Sequence, residues 1–103
     1  MTVVEGAQVG RVTAYLQGNL LTLNAAVNLT GLTFANDDII FTLEGFKALG
    51  WFDAWAVSES NRSNMLKYYC RSERLIRFSA VGGTVTSPTG YYDFHVTFPV
   101  VPA

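Results

Sequence analysis

The chain has 103 residues, half of them hydrophobic and 15% charged, which describes one folded domain with a modest core and excludes a disordered chain. A formal charge of −1 and the lack of any Lys/Arg run leave no electrostatic footprint for nucleic acid. Its single cysteine, Cys70, and single histidine, His95, exclude an internal disulfide and fall short of the four ligands of a structural zinc site.

No apolar run approaches the roughly 20 residues of a membrane helix, so no membrane insertion is expected. The first residues, MTVVEGAQVGR, lack a basic segment followed by an apolar one, and no signal peptide is expected.

In chain order, GRVTAYLQ alternates Val12, Ala14 and Leu16 against Arg11, Thr13 and Tyr15. NLLTLNAAVNLTG follows, with Leu21, Leu23, Ala25, Val27 and Leu29 on one face and Thr22, Asn24, Ala26, Asn28 and Thr30 on the other. A period of two is the signature of a half-buried strand, and Gly18-Asn19 between the runs predicts a two-residue hairpin turn with glycine first. A third strand is expected over 38–43, after the polar turn Asn36-Asp37.

EGFKALGWFDAWAVSES is ambiguous. Phe46, Leu49, Phe52 and Ala56 fall near helical spacing, but Gly45 and Gly50 each cost about 1 kcal/mol inside a helix and the aromatics favour a strand. The segment therefore reads as a loop over 45–50 and a strand over 51–58. After the polar loop SESNRSN, the runs MLKYYCR and RLIRFSA predict a second hairpin across Ser72-Glu73. Cys70 alternates with Leu66 and Tyr68 and reads as a buried structural thiol. GGTVTSPTG is a polar loop. The last strand, 91–101, sets Tyr92, Phe94, Val96, Phe98 and Val100 against Tyr91, Asp93, His95 and Thr97. Pro99 lacks a ladder donor and is expected to place this strand's end at a sheet edge.

About seven short strands with turns between them and no convincing helix predict one all-β domain over 1–103, a small antiparallel β-barrel or β-sandwich. No catalytic constellation is visible: there is no nucleophile elbow, no metal-binding spacing and no phosphate-cradling loop, so no catalytic residue, metal or cofactor is assigned. A glycosidase would need two carboxylates across a cleft, and Asp37, Asp38, Glu44, Asp53, Glu59, Glu73 and Asp93 are scattered along the chain.

Binding chemistry is better represented. Trp51 and Trp55 flank Asp53, and Tyr91, Asp93 and His95 share one strand face, with Arg62 in the polar loop. Saccharide recognition uses such a set, an aromatic plate against the apolar face of a sugar ring and charged groups for its hydroxyls. The plain alternatives are that both tryptophans belong to the core, and that Asp93 and His95 pair with a neighbouring strand.

Taken together, VGRVTAYLQGNLLTLNAAVNLTG, DDIIFTLEGFKALGW, LIRFSAVGGTV and PTGYYDFHVTFPV resemble in plan the C-terminal head domains of tailed-phage receptor-binding proteins and tail fibres. Those heads carry a "tLPeGfrP" turn; here it reads Thr42-Leu43-Glu44-Gly45-Phe46-Lys47-Ala48, keeping Leu, Gly and the aromatic while both prolines are missing. The resemblance spans about residues 9–98. It implies a compact β-barrel head, often the C-terminal part of a longer protein, assembled as a homotrimer at a tail tip or fibre. Such a head adsorbs to host cell-surface polysaccharide without enzymatic action and attaches to other virion tail proteins. A virion structural or decoration module (collar, baseplate or capsid) that binds another phage protein is the alternative. The residues expected at the saccharide are Trp51, Asp53, Trp55, Arg62, Tyr91, Asp93 and His95.

Overall fold

The computed structural model describes residues 1–103 as nine strands without a helix. They are β1 (Thr2–Val3), β2 (Gln8–Gln17), β3 (Leu20–Asn28), β4 (Ile39–Thr42), β5 (Phe46–Ala48), β6 (Trp51–Ser58), β7 (Met65–Arg71), β8 (Leu75–Phe78) and β9 (Tyr91–Pro102). All pairings are antiparallel, in the order β1-β4-β8-β7-β6-β9-β3-β2, with β5 on the end of β9. The sheet curls into a nearly closed barrel.

Both predicted hairpins form, and Gly18 holds the positive φ (62°) that a glycine-first turn requires. The inner faces are those that alternation assigns to the core. Leu21, Leu23, Ala25 and Val27 of β3 meet Tyr92, Phe94, Phe98 and Val100 of β9, and Leu66, Tyr68 and Cys70 of β7. Phe94 lies edge-on to Phe41 at 5.4 Å and Phe52 stacks on Phe98 at 4.4 Å, tying the two halves of the barrel together. Cys70 is fully buried and its thiol donates to the Glu73 carbonyl; burial pushes its pKa up.

Three expectations need correction. Nine strands replace seven, because β1 and β5 span only two and three residues, too short for alternation to show. The 45–50 segment is therefore not all loop: Phe46–Ala48 pair with Val100–Pro102. Pro99 does not put β9 at an edge. β9 runs through the middle of the sheet with Pro99 opposite Leu20, and the Pro99 carbonyl accepts the Leu49 N–H at 2.9 Å. A strand residue points its N–H and C=O the same way, so the missing donor falls where β9 exchanges β6 for β5 as its neighbour.

The barrel stays open between β2 and the β1–β4 end. A mostly apolar groove of about 120 Å³ lies there, lined by Val12, Ala14, Leu21 and Leu23 on one side and Met1, Leu43, Glu44 and Phe46 on the other.

Candidate functional site

None of the residues expected at a saccharide lines a cavity. The larger pocket, about 530 Å³, sits among Lys47, Ser72, Glu73, Arg74 and the last two residues, and the smaller is the apolar groove beside β2. The candidate site is instead the open outer face of the sheet, where β7, β6, β9, β3 and β2 turn their polar phase to solvent.

One cluster is built by register. Arg11 of β2 lies opposite Ala26 of β3, Ala26 opposite Asp93 of β9, and Asp93 opposite Val57 of β6. Arg11 and Asp93 are therefore two strands apart, about 10 Å at the usual strand spacing. The small Ala26, 3% exposed, leaves room for the arginine to lie across β3. Its Nη2 reaches Asp93 Oδ1 at 3.6 Å and its Nη1 reaches Glu59 Oε2 at 3.6 Å.

The β6–β7 loop completes the cluster. The Ser58 hydroxyl accepts the Asn61 N–H, the Asn61 side chain accepts the Ser63 N–H, and the Glu59 N–H donates to the Tyr91 carbonyl. This folded loop delivers Arg62 Nη1 to Asp93 Oδ2 at 3.3 Å. Two carboxylates thus meet between two guanidiniums. A hydrogen bond to Asp93, reinforced by partial burial and by the Asp93 charge, raises the Glu59 carboxyl above its ordinary range, while Arg11 and Arg62 pull it down. Beside them the Tyr91 ring covers Gly10, where a Cβ would stand 2.5 Å from Tyr91 Cε1. Gly10 sits in a β-bulge between Val9 and Arg11.

A second cluster lies on β6 and β7. Trp51, Asp53 and Trp55 share the outer face of β6, opposite Arg71, Tyr69 and Lys67 of β7. The Arg71 guanidinium stands 4.9 Å from the Trp51 ring centre and 4.6 Å from that of Tyr69, and its Nη2 donates to Asp53 Oδ1 at 2.9 Å. Its Nη1 donates to the Phe52 and Cys70 carbonyls, so the guanidinium is held on every side. Lys67 Nζ lies 5.7 Å from the Trp55 ring centre. Tyr69 is anchored by its hydroxyl donating to Asp37. Trp51 is 74% exposed and Trp55 38%, so the alternative that both belong to the core is overturned; Phe52, in the opposite phase of β6, is half-buried and packs against the core instead.

His95, between the clusters, is opposite Asn24 of β3 and exposed. The β6–β9 ladder is bonded at Val57–Asp93 and Ser58–Tyr92; one step further along that register, Trp55 stands across from His95.

All seven expected residues thus share the outer surface, but in two groups: Arg62, Tyr91 and Asp93 in the first, Trp51, Asp53 and Trp55 in the second, with His95 linking them. Sequence reading missed Arg11, Gly10, Lys67, Tyr69 and Arg71, and counted Glu59 only among scattered carboxylates. The β7 residues carried a signal, since Lys67, Tyr69 and Arg71 fall in the phase opposite Leu66, Tyr68 and Cys70. Arg11 carried none, because its reach depends on the register of two pairings. No group of three or more His, Cys, Asp or Glu side chains converges as a metal ligand set.

Compared with protein-family models, curated proteins and solved structures, the chain matches none of them.

Proposed function

We propose that the protein is a non-enzymatic receptor-binding head that adsorbs to cell-surface saccharide through the outer face of β6 and β9, as a tail component of a phage virion. The observation that carries the binding-face reading is Trp51. An indole 74% exposed contributes little to the core, yet it stacks with the Arg71 guanidinium, itself bonded to Asp53, on the same strand face as Trp55. A pre-positioned flat apolar plate bordered by charged groups is what stacking on a sugar ring requires. Trp51 and Trp55 are four residues apart on one strand, about 13 Å at a strand's rise, so an oligosaccharide suits the ridge better than a single ring. Glu59, Asp93, Arg11 and Arg62 provide donors and acceptors at one end.

The non-enzymatic part rests on the carboxylates. Glu59 and Asp93 are drawn to the one guanidinium of Arg11, 3.6 Å from each, and line no cleft, whereas glycoside hydrolysis needs two carboxyl groups set across the scissile bond. Affinity for each copy is expected to be weak and to gain from several copies engaging one surface.

A protein-docking role in the virion is favoured by one different observation. Leu20, opposite Pro99 on the β3 side, and Leu49, whose N–H donates to Pro99 from the other side, are 45% and 53% exposed at the sheet's end. Adsorption of labelled protein to host cells separates the two readings. Trp55→Ala and His95→Ala should abolish adsorption with the fold intact, and Leu49→Ser should leave it unchanged. Adsorption lost only in Leu49→Ser would favour protein docking.

A further inference from the structure

The open edge of the barrel is where the chain leaves most unfinished. β2 is ten residues long and exposed at every position, including its apolar phase: Val12 is 43% and Leu16 48% exposed. It ends the sheet, and the opposite end of the sheet is β1, of two residues, too short to close the barrel against it. Edge strands are normally blunted by lysine, proline, inward charges or bulges. β2 has no lysine or proline, its bulge affects only the Val9–Arg11 end, and its one charge, Arg11, is drawn away to Glu59 and Asp93.

We propose that β2 pairs antiparallel with β2 of a second copy of this chain, about a two-fold axis at Ala14, forming a dimer with one continuous sheet. The register follows from the hairpin. In a two-residue hairpin the residues flanking the turn, Gln17 and Leu20, form a hydrogen-bonded pair. Alternation then directs the backbone groups of Leu16, Ala14 and Val12 to the open edge. The regular stretch from Arg11, after the bulge, to Gln17, before the turn, has Ala14 at its centre. A two-fold there sets Ala14 against Ala14 and Val12 against Leu16 of the copy, each pair exchanging both backbone hydrogen bonds.

The charges agree. Arg11 comes opposite Gln17 and Thr13 opposite Tyr15 of the copy, so no like charges meet. The apolar phases join into one stripe along the groove, and the outer faces carrying the tryptophans turn the same way. A partner of strong charge has nothing on this strand to read, whereas a copy brings the same uncharged edge. The proposal stands apart from the saccharide reading and sets a two-fold pair in place of the homotrimer that the resemblance implies.

Light scattering after size exclusion, over a range of concentrations, tests it. The wild-type chain should run at twice its 11.3 kDa mass. Ala14→Pro removes an edge donor that bonds to nothing within the chain, and Ala14→Lys puts a charge on the axis; both should be monomeric with the wild-type β-sheet spectrum. A wild-type monomer at the highest concentration, a trimer, or a dimer retained by both folded variants would overturn the proposal. Should either variant unfold, the other and the wild-type mass decide.

Discussion

Tyr68 offers a quantitative test of the packing. Its side chain is wholly buried, its ring centre 5.0 Å from that of Phe94, and its hydroxyl has no hydrogen-bond partner. An unpaired hydroxyl taken out of water costs about 1–3 kcal/mol. Tyr68→Phe removes that oxygen and keeps the ring, so it should stabilise the fold by about 1 kcal/mol or more. For a domain near this size each kcal/mol moves Tm by about 4–8 °C. Urea unfolding at pH 7 should show a higher midpoint with the slope unchanged. An alkaline arm adds a sign. Burial raises the Tyr68 phenol above its ordinary 10.0, so the folded state resists ionisation. Its contribution is present below pH 10 and is lost as pH rises further, when the unfolded chain ionises first. The advantage of Tyr68→Phe should therefore widen above pH 10, with a residual alkaline loss in both proteins from Tyr92, which burial also raises. A variant less stable than wild type by 1 kcal/mol would refute the reasoning, because the hydroxyl would then have to be bonded.

Three further outcomes follow from the outer face. Trp51→Ala should shift stability by no more than about 1 kcal/mol, the scale of an exposed cation–π contact, whereas Phe52→Ala, one residue on, half-buried and stacked on Phe98, should cost about 3 kcal/mol, the low end for a phenylalanine. Equal losses in thermal unfolding would mean that the phase of β6 is wrong. Gly10→Ala should displace the Tyr91 ring at about 1 kcal/mol, low on the overpacking scale because that ring is 36% exposed and free to swing out. An unchanged Tyr91 ring resonance would contradict the contact. The raised Glu59 carboxyl makes the folded state bind a proton more readily than the unfolded chain, so its contribution is present below pH 4.5 and is lost as pH rises. Glu59→Gln should accordingly be more stable than wild type at pH 7, with the gain shrinking towards pH 4; a gain independent of pH would count against the raised carboxyl.

How far the sequence could be read depended on which physical signal each element carries. Alternation made β3 and β9 legible because β3 buries one phase completely, Leu21 to Val27, and β9 buries its own from Tyr92 to Val100 with only Val96 partly exposed. Gly45 and Gly50 correctly argued against a helix before β6. The orientation of β6 was harder, since Trp51, Trp55 and Val57 in one phase are as apolar as Phe52, Ala54 and Ala56 in the other. Asp53 in the tryptophan phase was the available clue, and it marks the face that solvent reaches.

Pairing partners left no local trace. The Arg11–Asp93 ion pair exists because β3 separates β2 from β9 and places Ala26 between them, which only the assembled sheet specifies. Pro99 misled for the same reason. A missing donor is harmless wherever a strand changes neighbours, and that place is set by β5, a strand too short to show in any pattern.

The central claim, that saccharide stacks on the outer face of β6, has a direct spectroscopic reporter, because the chain's two tryptophans, Trp51 and Trp55, both lie in the proposed site. Two-dimensional NMR of the labelled protein, titrated with oligosaccharides from host cell-surface polysaccharide, should show both indole N–H resonances moving saturably. The core amides of β3 should stay in place. Indole resonances that remain fixed while saccharide binds elsewhere, or no saccharide binding at all, would contradict the account.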